Sequence, residues 1–340
     1  MEFKLARDLD PDLMDKWDFF VKGQKTGSLF QLPLWKDLYL SNKKQCWLFF
    51  WGQKEDQFTL AALIRGRRIW GLGVDYTIDR GPVCDDADLL LQGIENLLPF
   101  LAKEKAIGLR LDPYWEFPKG ERIEKRLKDL GFEPFQRKDD RHFETLTIDL
   151  AQSPEEIFSH FRKTTRNEIN KAKKMGLKVK IAEDEQELKG FCDLLDQLGR
   201  KKAIRTPPYS FFQRLWNSIL KQKDLGILLL GYSDDRLVSG VVILNHGERG
   251  VYSWGASSVE TQEKFSKAHW LIWEGILWAK EMGCRLFDLG GYSGGAESDS
   301  SPEQVDLFKK GFRGEFCRLV KIHRYIFQKG KEKWIRPFLS

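Results

Sequence analysis

The sequence predicts an α/β protein with mixed sheets, built as two tandem copies of one domain. With 340 residues, the chain exceeds the usual size of a single hydrophobic core. The order of helix and strand patterns in the first half recurs in the second. A local echo accompanies it, AKEKAIGLRLD at 102–112 and AKEMGCRLFD at 279–288, about 180 residues apart. Because element order and local motif agree, a tandem duplication explains the chain better than chance.

The first copy reads as alternating helices and strands. Apolar spacing and turn residues predict, in order, a helix at 9–22, a short helix at 28–40, strands at 46–51 and 58–65, a turn at 65–67, a strand at 68–78, a helix at 88–105, a strand at 107–111, a helix at 119–130 and a strand at 141–149.

Between the two copies lies a basic amphipathic segment at 154–180, predicted to form a helix that starts after Ser153 and stops at Gly176. The helix from His269 to Met282 is apolar on nearly every face and reads as buried core, with His269 packed or capping rather than acting as a base. We predict domains at 1–147 and 148–320, with 321–340 folding back to complete the first.

Composition narrows the class of protein. The formal charge of +6 is mild, and the five cysteines are odd in number, with no CxxC or His-cluster spacing. We therefore expect a reduced, cytoplasmic, metal-free protein. The N-terminus has acids where a signal peptide has its apolar stretch, and nowhere do eighteen apolar residues run together. The chain is expected to be neither exported by a cleaved signal nor membrane-spanning.

The element order resembles the acetyltransferase-like fold of the GNAT superfamily, in which a glycine-containing turn usually holds the pyrophosphate of acyl-CoA. The equivalent turns here, 82–87 and 262–267, lack those glycines. Asp85 and Asp86 would also repel a pyrophosphate at the start of the first central helix. CoA is therefore disfavoured as the acyl donor.

Two regions could carry chemistry. The stretch 287–312 joins a strand end at Asp288, the pair Gly290-Gly291, a polar loop, and Lys309; it reads as a ligand-binding rim or as an ordinary surface loop. Asp112 and Asp288 both end strands, where a general base, an orienting acceptor or a structural residue shared by the repeats would fit. The segment at 154–180 presents a cationic face suited to RNA or an anionic membrane, or merely solvated; its cations are Arg162, Arg166 and Lys173.

The sequence motifs resemble the Fem family of peptidoglycan-bridge aminoacyltransferases. The resemblance runs over almost the whole chain and is strongest in FDLGG at 287–291 followed by FKxxF at 308–312. Other matching motifs are RGP at 80–82, LRLDP at 109–113, the basic segment 163–169 and QxxxW at 31–35. The resemblance implies tandem GNAT-like domains that use aminoacyl-tRNA, without a cofactor, in place of acyl-CoA.

That resemblance also implies roles for residues. An amine on the stem peptide of a cell-wall precursor would attack the ester carbonyl of aminoacyl-tRNA, and positioning and oxyanion stabilisation should dominate catalysis. Lys309 matches the family lysine that faces the tRNA acceptor end, and Asp112 an aspartate considered as a base. We assign the remaining predicted contacts as follows: Lys36, Arg205, Asp288, Gly290, Gly291 and Trp254 to the precursor, and Lys310, Arg162, Arg166 and Lys173, with Lys309, to tRNA.

The expected partners are aminoacyl-tRNA, a UDP-linked or lipid-linked peptidoglycan precursor and the inner face of the plasma membrane, with the protein acting as a monomer. Two other classes of function stay open from sequence. One is a CoA-dependent N-acyltransferase of polysaccharide or envelope biosynthesis. The other is a non-catalytic relative that binds RNA or membrane.

Overall fold

The chain forms two compact units, each built around one seven-stranded sheet. The structure is a computed structural model, and it describes residues 1–39, 44–135, 143–258, 266–292, 302–328 and 330. Unit 1 comprises Met1–Phe143 with Arg318–Ser340, and unit 2 comprises Glu144–Cys317.

Unit 1 opens with a strand and a helix and continues through a long hairpin. Its elements are β1 (Glu2–Ala6), α1 (Pro11–Gly23), 3-10 turns at Leu29–Gln31 and Pro33–Tyr39, β2 (Gln45–Lys54), β3 (Gln57–Ile69), β4 (Gly73–Ile78), α2 (Ala87–Lys103), β5 (Ala106–Leu111), α3 (Lys119–Asp129) and β6 (Glu133–Pro134).

Both faces of this sheet are covered, which explains the unbroken apolar run CWLFFW in β2. Alternate residues of a strand point to opposite faces. Phe50 packs in the core with α2, whereas its neighbour Phe49 meets Trp17 of α1 edge-on at 5.1 Å between ring centroids. Asp86 caps α2 by accepting the backbone N–H groups of Asp88 and Leu89.

The predicted turn at 65–67 is wrong. Strand β3 continues to Ile69, and the reversal lies at 70–72, with Gly71 at φ +73°. Gly66 sits mid-strand, where a Cβ would lie 2.6 Å from the Cys46 sulfur. Close packing against the Cys46 side chain, rather than a turn, therefore explains the glycine at this position.

Unit 2 repeats this plan. Its elements are β7 (Glu144–Asp149), α4 (Pro154–His160), α5 (Lys163–Lys174), β8 (Lys178–Ile181), α6 (Glu185–Lys202), α7 (Tyr209–Leu215) with a π turn at Trp216–Leu220, β9 (Gly226–Ser233), β10 (Arg236–His246), β11 (Arg249–Ser257), α8 (Lys267–Glu281), β12 (Leu286–Gly291), α9 (Pro302–Lys310) and β13 (Glu315–Arg318).

The basic segment predicted as one helix is two. Helix α4 ends at His160, and Phe161 is extended, with ψ 153°, before α5 begins. The side chain of Phe161 is buried between Trp273 and Phe312, so burial of one aromatic ring breaks the helix. The helix start predicted at Ser153 is present, and Glu156 completes a capping box with it.

In each sheet, one strand lies beside strands that are distant from it in chain order. Strand β14 (His323–Ile326), the last described strand, lies between β5 and β6 in the order β1-β2-β3-β4-β5-β14-β6. The corresponding place in the second sheet, β13-β7-β12-β11-β10-β9-β8, is taken by β7, which directly follows the first repeat in sequence. The compact units consequently divide at residue 143, and the predicted boundary of 147 falls inside β7.

A buried ion triplet holds β14 in the first sheet. Asp75 on β4 meets Arg110 of β5 at 3.1 Å and Arg324 of β14 at 3.3 Å. A Cβ on Gly108 would come within 3.0 Å of both Asp75 and Arg324, so this position must be glycine for the triplet to fit. One carboxylate therefore links three neighbouring strands.

Helix α8 is the buried core helix that its apolar sequence predicts. Its residues Leu271, Ile272 and Ile276 are fully buried, and Phe287 of β12 lies in the same core. All five cysteines carry unpaired thiols. In the described part of the chain, no helix combines the length and hydropathy needed to cross a bilayer. Within those same residues, His, Cys, Asp and Glu side chains form no group of three suited to a metal ion.

Candidate active site

The strand β12 ends in a bulge that shapes the surroundings of Lys309. The register of β12 against β7 shifts between Asp288 and Gly291. Gly290 has φ +72°, and a Cβ there would lie 2.8 Å from the carbonyl oxygen of Tyr252. Any other residue at 290 would be both strained and crowded.

Buried polar groups hold this bulge. Asp288 accepts the N–H of Gly290 at 2.7 Å and the hydroxyl of Thr145, both at the same carboxylate oxygen. Thr145 also lies 2.8 Å from the carbonyl oxygen of Gly290. Asp288 is 4% exposed, so its first effect is to fix the backbone of the glycine pair.

Lys309 reaches the bulge from α9. Its side chain is only 6% exposed, and its Nζ donates a hydrogen bond to the carbonyl oxygen of Gly291. Burial lowers the pKa of Lys309 to about 8, and the carboxylates of Asp288 and Asp306 oppose that shift. The ammonium is therefore still charged near neutral pH while being poorly hydrated, a state in which a hydrogen bond to a developing anion is strong.

Aromatic packing fixes the helix that carries Lys309. The ring of His269 lies 4.6 Å from that of Phe308 and 5.6 Å from that of Phe312, stacked on the latter. Burial lowers the pKa of His269 to about 4, against a smaller opposing effect of Glu168. His269 is thus a neutral packing residue at neutral pH, which confirms the prediction that it packs.

Asp112, the predicted base, is held by Arg80 in unit 1. Its carboxylate accepts the backbone N–H of Arg80 at 2.9 Å and lies 3.6 Å from the guanidinium Nε. Arg80 has φ +51°, and its guanidinium also lies over the rings of Tyr114 and Phe143 at 5.0 and 5.2 Å. The carboxylate stabilises a turn that is otherwise unfavourable for arginine.

The QxxxW motif supports the same turn. The buried amide of Gln31 donates to the carbonyl oxygen of Asp79 and accepts the N–H of Leu63, each at 2.7 Å. A Cβ on Gly81 would lie 2.6 Å from that amide. The motifs at 31–35, 80–82 and 109–113 therefore meet in one buried polar cluster.

The other predicted precursor contacts lie on several elements. Lys36 is partly exposed in the second 3-10 turn, with Nζ 4.9 Å from the centre of the Phe49 ring. Arg205 is exposed in the loop before α7. Trp254 on β11 packs edge-on against Phe211 and Phe212 of α7, with centroids 5.6 and 5.5 Å away.

The predicted tRNA contacts differ in availability. Arg162 and Lys173 are exposed, and Lys173 lies 5.2 Å above the ring of Trp270. Arg166 instead donates to the carbonyl oxygens of Ser159 and Phe161, across the break between α4 and α5. Lys310 is half-buried, with Nζ 5.5 Å from the centre of the Tyr292 ring. The structure thus brings Lys309 together with Asp288, Gly290 and Gly291, whereas Asp112 and Lys36 lie in the other unit.

Comparison with known proteins decides the family. A sequence model of the FemAB family matches residues 14–229, more than half of the chain. The chain belongs to the FemAB family. Curated relatives include a lipid II:glycine glycyltransferase of Staphylococcus haemolyticus (strain JCSC1435), 23% identical, with 86% of each chain covered. The lipid II:glycine glycyltransferase of Staphylococcus aureus (strain MRSA252) is 25% identical, with 74% of this chain and 61% of that protein covered.

Solved structures give the fold. The crystal structure of FemX superposes with a TM-score of 0.86 at 20% identity, covering 98% of this chain and all of that one. A tandem GNAT protein of clavulanic acid biosynthesis gives a TM-score of 0.54 at 10% identity, with 96% and 98% covered. The predicted Fem family and duplicated GNAT-like fold are confirmed.

In this FemAB-family chain, carboxylates lie at the starts of α2 and α8. Asp86 caps α2, and Asp85 accepts backbone N–H groups of Lys25 and Thr26 at 3.0 Å. At the start of α8, Glu168 accepts the N–H of Ser266 at 2.7 Å. Residues 262–265 of the predicted second turn lie outside the described residues.

Sequence reasoning missed Thr145, Asp306 and Arg80. Thr145 meets Asp288 across 143 residues of sequence, so no local pattern reveals the pair. Asp306 could have been found, because it lies three residues before Lys309 on one helix face. Arg80 stood in a recognised motif, RGP at 80–82, but its partner Asp112 becomes apparent only from the fold.

Proposed function

We propose that this protein is an aminoacyltransferase that moves an amino acid from aminoacyl-tRNA onto an amine of the stem peptide of a peptidoglycan precursor. Its relatives named lipid II:glycine glycyltransferase support the class of reaction and the class of acceptor. The observation that carries the proposal within this chain is the buried ammonium of Lys309 beside the Gly290-Gly291 bulge.

The chemistry needs little covalent help from the protein. The acceptor amine attacks the ester carbonyl carbon, a C–N bond forms, and the C–O bond to the tRNA ribose breaks. The amine loses a proton, and the departing ribose oxygen takes one up. The carbonyl oxygen carries negative charge in between, and the ammonium of Lys309 is proposed to donate a hydrogen bond to it.

The other roles follow as parts of this proposal. Gly290 and Gly291 would let the precursor approach the backbone, with Lys36, Arg205, Asp288 and Trp254 as further contacts. Asp112 as the general base stays a prediction. Its carboxylate accepts the backbone N–H of Arg80 and pairs with the Arg80 guanidinium, so holding the 80–82 turn is the role that its contacts support.

An aminoacyl-tRNA donor is favoured over acyl-CoA. Asp85 and Asp86 lie at the start of α2, and Glu168 of α5 lies against the start of α8. Their negative charges would repel a pyrophosphate bound at either helix N-terminus. The exposed cations Arg162 and Lys173 would meet the tRNA backbone. We propose that the reaction takes place in the cytoplasm, at the inner face of the plasma membrane.

Mass spectrometry of peptidoglycan tests the proposal in cells. Muropeptides from cells that carry the wild-type protein should contain an added amino acid that is missing without the protein and with Lys309→Met. Lys171→Met, which changes an exposed lysine of α5, serves as the control and should restore the wild-type pattern. Identical muropeptides with and without the protein would reject the proposed function.

A further inference from the structure

The hairpin between β3 and β4 holds a tryptophan entirely in solvent. Trp70 is 100% exposed, at the second position of a four-residue turn closed by the N–H of Leu72 and the carbonyl oxygen of Ile69 at 3.0 Å. Gly71 at the third position has φ +73°, as a type II turn requires. The exposure of Trp70 is therefore built into a regular turn.

The turn itself is anchored. Ile69 and Leu72 pack with the fully buried Ile107 in a small apolar cluster. Their side chains tie the base of the turn to the sheet, and the indole of Trp70 is the part left outside. A rigid, protruding aromatic ring is the side chain that proteins place at the boundary between lipid and water.

A basic cavity of about 670 Å³ opens beside this turn. Its lining includes the cations Arg7, Arg68, Lys103 and Lys105, against a single acid, Glu104. Glu104 is paired with Arg7, and Lys103 and Lys105 are exposed. The lining thus carries an excess of three positive charges, four cations less one acid, next to the exposed indole.

The cavity lies away from the Arg80–Asp112 pair of the same unit. Strands β4 and β5 run parallel, with Val74 opposite Ala106 and Ile78 opposite Leu111. The cavity lining includes Gly73 and Lys105, which lie at the beginning of β4 and just before β5. Arg80 and Asp112 instead follow the ends of these two strands. The two features occupy opposite ends of the sheet.

We propose that the Trp70 turn and its cationic cavity form a docking surface for an anionic phospholipid bilayer. Trp70 inserts at the level of the headgroups, and the cavity receives a lipid phosphate. Anionic headgroups complement the charge, and a bilayer is the partner that offers an apolar layer directly beneath its phosphates. The phosphates of RNA would also complement the cations. However, RNA would offer the indole of Trp70 only one base to stack on and no apolar layer into which it could insert.

Vesicle flotation tests this surface without reference to catalysis. The purified full-length protein is mixed with vesicles of equal parts phosphatidylglycerol and phosphatidylcholine, or of phosphatidylcholine alone. We expect binding to the anionic vesicles only. Trp70→Ser should weaken it at least about tenfold, because an inserted indole loses its burial. Lys103→Gln should weaken it about fivefold, the contribution of one cation near such a surface.

Two matched variants serve as controls on the surface of α1, Phe19→Ser for an exposed aromatic ring and Lys16→Gln for an exposed cation. Both should float like the wild type. Equal flotation with both vesicle types, no flotation at all, or equal losses in the α1 variants would overturn the proposal. So would a loss of tRNA retention on filters in Trp70→Ser and Lys103→Gln with flotation unchanged, since the surface would then be an RNA site.

Discussion

The side chain of Lys309 carries its positive charge in a buried environment that disfavours the charged form. If its ammonium stabilises the oxyanion, kcat should fall as pH rises through the pKa of about 8. Lys309→Met should lower kcat by about 10²–10³, the usual effect of removing one oxyanion donor. Lys309→Arg keeps its charge and should remove the decline near pH 8. Rates need correction for spontaneous hydrolysis of the tRNA ester, and an unchanged alkaline limb in Lys309→Arg would count against this role.

The same burial predicts an effect on stability. Since the pKa of Lys309 falls from 10.5 unfolded to about 8 folded, the unfolded chain binds more protons between those values, and stability rises with pH there. Below pH 8 the burial cost is fully present, about 3 kcal/mol. Lys309→Met should therefore raise the free energy of unfolding at pH 7. The gain is reduced by the contribution of the hydrogen bond to Gly291, which the variant loses. Urea denaturation of the wild type and the variant at pH 7 and pH 10 measures both the pH dependence of stability and the effect of the substitution.

His269 should make the stability of the protein depend on pH in the acidic range. Its pKa is about 4 in the folded protein and 6.5 in the unfolded chain, so the unfolded chain takes up the proton first on acidification. We expect about 3 kcal/mol of stability to be lost between pH 6.5 and pH 4. His269→Phe should lack this component in urea titrations. A parallel pH dependence in the two proteins would show that His269 does not titrate as its burial implies.

At the element scale, the predicted tRNA-binding cations on α5 and at its N-cap, Arg162, divide into two that are exposed for binding and one that has a structural role. Arg162→Gln and Lys173→Gln should each weaken tRNA binding and reduce the slope of log K against log salt by about one. Arg166→Gln should instead lower the free energy of unfolding by about 1–3 kcal/mol, because it leaves two carbonyl groups without their charged donor. Filter binding and urea denaturation of all three variants distinguish the two effects. Equal tRNA affinity in Arg162→Gln and the wild type would remove Arg162 from the interface.

Periodicity predicted most elements, and its failures have local causes. The all-apolar sequence of α8 required a buried helix, whatever the fold around it. The turn at 65–67 was misplaced because Gly66 serves packing against Cys46, which sequence does not reveal. The split between α4 and α5 depends on burial of Phe161 by distant rings. Likewise Lys309 and Asp288 could be named from motifs, but the Thr145 bond and the bulge could not.

At the scale of the whole molecule, the first sheet is not complete within residues 1–143, because one of its strands comes from the last part of the chain. Because β14 completes the first sheet through the Asp75 triplet, a fragment of residues 1–147 should not fold. Residues 1–143 joined to 318–340 by a short Gly/Ser linker should fold, since the N–H of Leu319 already bonds the carbonyl oxygen of Phe143 at 2.7 Å. Cooperative urea unfolding is the measurement. Equal cooperativity in both fragments would refute the need for β14.

The proposed reaction is tested most directly by transfer of a labelled amino acid from charged tRNA to a purified muropeptide precursor, UDP-linked in one arm and lipid-linked in the other. The result expected is label in one of these precursors with the wild-type protein, abolished by RNase treatment of the donor and reduced about 10²–10³-fold by Lys309→Met. Transfer of an acyl group from acyl-CoA that is unaffected by RNase, with no label moved from tRNA, would contradict it.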